Sequence, residues 1–312
     1  MRFVGKGKKK SDMSKDLHER AIDSETKFIT LIGNPLGQSF AARMQNAAYK
    51  AADINMIYFY TESDCTHLEE IINGIRYMPS FAGCAITKPN KIKVIEYLDD
   101  VDPFCRKMGA CNTIVKDSEG RLIGYNTDGP GFIRAIRAEA GFEIKGKTFF
   151  CFGAGGAGRA ICSSLVYNGA SRIFITDTAL DAALNLSHDI NSNFMQVAET
   201  VRSGEYSLVG QCDMVINASG IGMGRTIGET PLPEEWLQPG QFCFDACYNP
   251  RKTQFLLTAE VKGCRIMNGM AMSLYQGAEQ IELWTGEPAP IDAMRKELID
   301  IVSEQIQRTN DY

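Results

Sequence analysis

The stretch TFFCFGAGGAGRAICSSLVYNG, residues 148–169, limits what this chain can fold into more than any other. An uncharged apolar run that ends in glycine reads as a buried strand, and the alanine-rich segment after it reads as a helix. Between them GAGGAG, Gly153 to Gly158, fits G-x-G-x-x-G. In that order the three pieces open a strand–loop–helix unit whose loop suits a dinucleotide pyrophosphate. Gly153 permits the tight turn, Gly155 lets the backbone come close, and Gly158 lets helix and strand pack. The N–H groups of the loop, with Ala154, Gly156 and Ala157, face the phosphates at the positive end of the helix. A glycine-rich turn without a ligand is the alternative. The next apolar run, RIFIT, leads to Asp177, 22 residues beyond Gly155. An acidic residue about 20 positions on accepts from the ribose hydroxyls. A carboxylate there also repels a 2′-phosphate, and TDTALD supplies no arginine to hold one. The expected cofactor is NAD, with NADP possible but less favoured. Asp177 could instead cap the following helix.

Upstream, apolar and amphipathic runs alternate. KFITLIG, MIYFYTE and FAGCAIT read as strands; SFAARMQNAAYKAAD, HLEEIINGIRYM and NKIKVIEYLD read as helices, the first with Ser39 as N-cap. Such alternation signals a parallel α/β sheet. GACNTIVKDSEGRLIGYNTD reads as two short strands about an SEG turn, and GPGFIRAIRAEAGF as a helix. CDMVINAS and QFCFDACY supply later strands; MSLYQGAEQIELWTG and PIDAMRKELIDIVSEQIQ read as closing helices. The expected organisation is a mobile extension over residues 1–26 and an α/β substrate-binding domain over 27–128, completed by helices from 270–312. A Rossmann-type, doubly wound domain spans 129–269, with the active site in the cleft between the two.

Bulk properties exclude several classes. At 312 residues, 44% hydrophobic and 23% charged, the chain can bury a sizeable core. Its net charge of −5 offers nucleic acid no electrostatic footprint. No apolar run approaches the roughly 18 residues needed to span a bilayer. The N-terminus MRFVGKGKKKSDMSKD lacks the roughly 7–15-residue apolar core of a secretory signal. Ten scattered cysteines without a CxxC and only three histidines argue for reduced buried thiols and against a metal site. A cytoplasmic protein, monomer or homodimer, is expected, with a small-molecule substrate and neither a nucleic-acid nor a membrane partner.

GCAITKPNKIKV, residues 83–94, places Lys91 where it is either a surface charge or a base held against a substrate. Further stretches lie in order with TKPNK: IGNPLGQSFAARMQNAAY (32–49), GACNT (109–113), GYNTDGPG (124–131), GAGGAGRA, and YNPRKTQFL with NGMAMSLYQGAEQIELWTG within 248–286. Together they make the chain, over about residues 28–286, similar to the shikimate/quinate dehydrogenase family. The resemblance implies an NAD(P)-dependent alcohol dehydrogenase of the 3-dehydrogenase type, interconverting a ring hydroxyl and a ketone of a cyclic polyhydroxy carboxylic acid. Lys91 matches the lysine of the family's T-x-P-x-K motif, and Asp128 the aspartate of N-T-D. By that matching Lys91 moves the proton, its basicity tuned by partial desolvation between two lobes, and Asp128 positions the hydroxyl. Ser39, Thr87, Asn112, Tyr248 and Gln276 resemble substrate contacts; Asn112 and Gln276 could grip a hydroxyl in either sense. Ala246, Cys247 and Gly269 resemble the lining around the nicotinamide.

Two positions depart from the pattern. The usual H-S-x-S-P reads Gln38-Ser39-Phe40-Ala41-Ala42 here, and the asparagine of N-V-T-x-P is Ala85. A hydrogen bond to a charged group is worth roughly 1.5–3 kcal/mol. Losing one would weaken the family's usual substrate by about one to two powers of ten. Arg43, two positions past Ala41, could reach a carboxylate instead; an exposed helical arginine is the plainer reading. Quinate- or shikimate-type substrates therefore stand beside an aminated or otherwise altered analogue. A non-catalytic dinucleotide-binding regulatory protein is the reading from another class.

Overall fold

The computed structural model describes residues 22–37 and 39–310. Most of the expected N-terminal extension, and Gln38, lie outside the described residues. The last residues assigned to that extension are tied down, which corrects its boundary. Thr26 is buried, and its Oγ1 donates to Asn55 Oδ1 at 2.9 Å; Asp23 Oδ1 accepts from the N–H of Glu25.

The first half of the chain runs β1 (Lys27–Gly33), α1 (Ala41–Ala51), β2 (Met56–Glu62), α2 (Leu68–Arg76), β3 (Phe81–Ile86), β4 (Asp100–Val101), α3 (Pro103–Met108), β5 (Thr113–Lys116), β6 (Leu122–Tyr125) and α4 (Asp128–Ala140). It builds a mixed sheet in the order β2-β1-β3-β5-β6-β4. β1 lies parallel to β2 and β3, and β5 runs antiparallel to β3 and β6. The period of two decides the faces. Ile29, Leu31 and Ala85 enter a core with α1 and the C-terminal helices, whereas Ile32, Cys84 and Ile86 pack with Leu68 and Ile72 of α2.

The second half continues β7 (Thr148–Phe152), α5 (Gly156–Tyr167), β8 (Arg172–Thr176), α6 (Leu180–Asn193), β9 (Ala198–Thr200), β10 (Met214–Asn217), β11 (Phe242–Asp245), α7 (Gln254–Val261), β12 (Arg265–Asn268), α8 (Gly269–Thr285) and α9 (Ile291–Asn310). Its sheet, β12-β11-β10-β7-β8-β9, is wholly parallel. That is the doubly wound order of a Rossmann-type unit, reversing between β7 and β10. Both faces are buried, as parallel sheets require. Phe149 and Cys151 pack against α4, α5 and α6, and Phe150 and Phe152 against α7 and Tyr206.

α4 and α8 join the two halves. A Cβ at Gly131 of α4 would collide with the backbone of Gln276 on α8, so only glycine allows the observed approach. Arg134 reinforces the pair, donating to Glu279 and Glu282 of α8 at 2.9 and 3.0 Å.

Two local expectations change. NKIKVIEYLD forms only a 3₁₀ turn over Lys93–Tyr97, because the chain then extends so that β4 can pair with β6. Phe40, not Ser39, is the N-cap of α1; Ser39 Oγ accepts from Ala41 N at 3.3 Å, and the Tyr60 hydroxyl accepts from Ala42 N at 3.1 Å. The alanine-rich helix after the glycine loop, α5, starts at Gly156. β4, β9 and β12, each of four residues or fewer, were not anticipated.

Gly131→Ala is expected to destabilise the protein by about 1–3 kcal/mol through overpacking, outweighing the ~1 kcal/mol that alanine gains in helix propensity. Urea unfolding should show a lower midpoint; a midpoint at or above that of the parent would contradict the close helix contact.

Candidate active site

The turn after β3 carries Lys91, and the first turn of α4 carries Asp128. The two side chains meet: Lys91 Nζ donates to Asp128 Oδ2 at 2.6 Å, with 22% and 13% of the side chains exposed. Each is anchored locally. Asn90, fully buried, donates from Nδ2 to Ser63 O at 2.9 Å, and Lys91 O accepts from Cys111 N at 2.8 Å. Asn126 Oδ1 accepts from the N–H groups of Asp128 and Gly129, closing the start of α4. A carboxylate in a first helical turn also gains from the helix dipole.

The pair opens on a cavity of about 580 Å³ at the C-terminal ends of β1 and β3. Ser39, Thr87, Lys91, Asn112, Asp128, Tyr248 and Gln276 all line it, drawn from six separate places in the chain. Tyr248 and Met223 enter from the second half, and the Tyr248 ring meets Phe40 edge-on at 5.1 Å. Burial pushes the Tyr248 phenol up. Asn112 is less free than expected. Its Oδ1 accepts from Thr113 Oγ1 and Thr127 N, both at 2.8 Å, while its Nδ2 donates to Thr127 Oγ1 and, at 2.9 Å, to Asp128 Oδ1. That amide is committed to holding Asp128, so its sense is fixed and it is not free to reverse towards a hydroxyl.

Ala41 and Ala85 also line the cavity, together with Gln45 and Tyr58. The buried Tyr58 hydroxyl and Gln45 Oε1 have no hydrogen-bond partner among the described residues. Arg43 is turned away. Its guanidinium lies 2.7 Å from Glu297 and from Glu304 on α9, and the Glu304 hydrogen bond leads in holding its pKa up. The idea that Arg43 replaces the missing serine is thereby corrected: two carboxylates within ion-pair distance outcompete a more distant anion.

The glycine loop leaves β7 at Gly153, whose φ of +103° suits glycine; a Cβ there would come within 2.7 Å of the Ala218 backbone. Gly155 and Gly156 face open space, and Gly155 is the N-cap of α5, leaving the first-turn N–H groups beyond Ala154 directed outward. This cradle fits a diphosphate. Asp177 stands beside it, accepting from Ala154 N at 2.8 Å through Oδ2 and from Ala179 N at 2.9 Å through Oδ1. It braces the loop, and Ala179 takes the N-cap position of α6. Ala246, Cys247 and Gly269 are also in mutual contact: Gly269 N donates to Cys247 O at 3.0 Å, and Ala246 O lies where a Gly269 Cβ would be. Asp245 supports this corner, accepting from Cys247 N, Asn217 Nδ2 and the Thr253 hydroxyl; burial raises its pKa against those three hydrogen bonds. All these groups sit just past the C-terminal ends of parallel strands, where open α/β sheets bind ligands.

Sequence reasoning missed Asn90, Thr113, Asn126, Thr127, Asp245 and Gln280. Most adjoin residues it singled out, so the available signal was a polar side chain beside a candidate and close to an apolar strand.

Comparison with known proteins agrees with this architecture. Residues 31–114 match the family described as shikimate dehydrogenase substrate binding domain, and residues 269–299 match shikimate 5'-dehydrogenase C-terminal domain. The shikimate dehydrogenase (NADP(+)) of Desulforamulus reducens is 38% identical over 282 residues, 89% of this chain and 96% of that protein. The structure of shikimate 5-dehydrogenase from Listeria monocytogenes, in complex with shikimate and NAD, has a TM-score of 0.85 at 33% identity, covering 89% and 98% of the two chains. Quinate dehydrogenase from Corynebacterium glutamicum, in complex with NAD, has a TM-score of 0.83 at 27% identity, covering 88% and 99%. The fold and cavity are those of a two-unit α/β dehydrogenase. The chain belongs to the shikimate dehydrogenase family.

Because Arg43 is held by Glu297 and Glu304, Arg43→Ala should leave KM for the best substrate within about twofold, equivalent to less than half a kcal/mol. A tenfold rise in KM would return Arg43 to the binding site.

Proposed function

We propose that this protein is an NAD(P)-dependent oxidoreductase interconverting one ring hydroxyl and ketone of a shikimate- or quinate-type acid, in the 3-dehydrogenase sense. The observation that carries this reading is the 2.6 Å contact of Lys91 and Asp128 inside a cavity whose lining includes Ser39, Thr87, Tyr248 and Gln276, together with Lys88. Asp128 accepts from an N–H of Lys91 and so aims the amine at the substrate hydroxyl, positioning the one against the other. Neutral Lys91 then takes the hydroxyl proton as the carbon–oxygen double bond forms, and its ammonium returns the proton in reduction. The nicotinamide, when bound, supplies the hydride acceptor. Ser39, Thr87, Tyr248 and Gln276 hold the remaining hydroxyls and the carboxylate. Gly153 to Ala157 take the diphosphate, and Ala246, Cys247 and Gly269 flank the nicotinamide. The division into a substrate domain over 27–128 with the C-terminal helices, and a dinucleotide domain over 129–269, belongs to the same reading.

NAD preference is the finer part. Curated relatives carry NADP(+) in their names, whereas the Listeria and Corynebacterium structures hold NAD. Asp177 supports NAD here, because its carboxylate stands at the end of β8 with no basic residue in the four positions after it. Ala41 and Ala85, set against the unpartnered Tyr58 hydroxyl and Gln45 Oε1, favour an altered ring substituent as the second reading.

With shikimate, quinate and analogues as substrates and NADH absorbance as readout, Lys91→Ala should lower kcat about 10²–10⁴-fold, the usual range for a general acid–base. NAD binding should be retained. Wild-type turnover in that variant, or no turnover by the parent across the panel, would refute the enzyme. Asp177→Ser is expected to raise the NADP/NAD ratio of kcat/KM about tenfold, equivalent to ~1.4 kcal/mol; an unchanged ratio would show that Asp177 does not select the cofactor.

A further inference from the structure

Asp128 owes its orientation to Asn112, and the sense of that amide can be traced through a buried chain to helix α8. The starting point is the Gly277 carbonyl, which can only accept. Gln45 Nε2 donates to it at 3.1 Å and to Gln280 Oε1 at 3.2 Å. Gln280 therefore turns Nε2 towards Thr113 Oγ1, donating at 3.0 Å. A hydroxyl has one hydrogen, and that of Thr113, having accepted from Gln280, goes to Asn112 Oδ1 at 2.8 Å. Asn112 Nδ2 is then left to face Asp128 Oδ1 at 2.9 Å, while Asp128 Oδ2 meets Lys91. The N–H of Thr127, donating to Asn112 Oδ1, is a second anchor of the same sense. Gln45, Asn112, Thr113, Thr127 and Gln280 are none of them more than 4% exposed, so these bonds are largely shielded from bulk water.

We infer that Gln280 is a positioning residue for the reaction: through Thr113 and Asn112 it fixes the Asp128 carboxylate against Lys91. An amide reversed at Asn112 would point its oxygen at the carboxylate, and Asp128 would swing from the substrate hydroxyl. Gln280 lies among Ala278, Ile281 and Trp284, a setting in which an unpaired amide is costly. Its hydrogen bonds run along the chain described, which gives the amide a task that an apolar residue could not perform. Because α8 packs on α4, the relay also links the seat of Asp128 to the helix that carries Gln276. This rests on the functional reading above, in which Lys91 and Asp128 act on the substrate.

The test uses the full chain, shikimate with NAD, and four variants: Gln280→Met, which keeps the bulk and removes the hydrogen bonds; Thr113→Val; the two combined; and Thr113→Ser. Gln280→Met and Thr113→Val should each lower kcat about two- to twelve-fold, the range set by losing one net hydrogen bond. Gln280 also lines the cavity, so KM decides between two roles: the relay predicts KM within about threefold, and a loss that falls on KM alone would assign Gln280 to the substrate and overturn the relay. The double variant should be no slower than Thr113→Val alone, because both break one chain. Thr113→Ser should keep the parent rate. A parent-like kcat in Gln280→Met overturns the inference, as do losses that multiply in the double variant. A fall in thermal midpoint with kcat per folded molecule unchanged also overturns it, because that is the mark of a structural role. If Gln280→Met does not fold, the serine–valine pair at position 113 decides: serine active and valine impaired supports the relay, and equal rates overturn it. Lys91→Ala run alongside separates the two levels. Turnover lost there but intact in Gln280→Met sinks only the relay, and a parent chain without turnover sinks both.

Discussion

Two helices, α4 and α8, meet so closely at Gly131 that a single methyl group would force them apart. The site depends on this contact. α4 begins with Asp128, at the end of the first sheet's chain, and then lies against the Rossmann-type sheet through Phe132, Ile133 and Ile136. α8 begins at Gly269, beside the strand ends of the second sheet, and sends Leu274, Ala278 and Ile281 into the core of the first. Each helix thus belongs to both halves. Their packing sets the distance between the glycine loop and the cavity without any one loop having to span the gap.

From that frame the chemistry needs little. One turn delivers Lys91, one helix start delivers Asp128, and the free ends of parallel strands leave a cradle for a diphosphate. The polar side chains around the pair are mostly committed to one another, so Lys91 and Asp128 are held in place by the protein alone. In the proposed reading, that preorganisation lets the pair transfer a proton without reorganisation at the moment of reaction. The apolar departures at Ala41 and Ala85 lie on the opposite side of the demand: they remove donors from the wall, and the Tyr58 hydroxyl and Gln45 Oε1 remain there unpartnered. In the proposed reading, recognition of the ring is where this chain departs from the family pattern, and Lys91 with Asp128 is where it keeps to it.

Much of this was legible because it is local. The strand–glycine–helix pattern at 148–158 depends on neighbouring residues only, and β1, β2 and β3 fall on the runs that suggested them. β4, with two residues, exists only because β6 is there to pair with, and the same demand cuts a predicted helix to one 3₁₀ turn. The meeting of Lys91 with Asp128 is 37 residues long in sequence and carries no period; the family resemblance suggested it, and spacing could not. Arg43 shows the reverse failure. From its own helix it looked free, and its partners Glu297 and Glu304 lie more than 250 positions away. Gln280 read as an ordinary helical position, because burial of a polar side chain is a property of the fold.

At the centre of the proposed chemistry, one substrate hydroxyl meets the Lys91 amine and the Asp128 carboxylate, which are held together in this cavity. A crystal structure of the protein with shikimate bound tests it most directly. If the two side chains act together, a ring hydroxyl oxygen lies within about 3 Å of both Lys91 Nζ and an Asp128 carboxylate oxygen, the distance proton transfer requires. A ring bound elsewhere, or seated in the cavity with its hydroxyls turned from that pair, would contradict it.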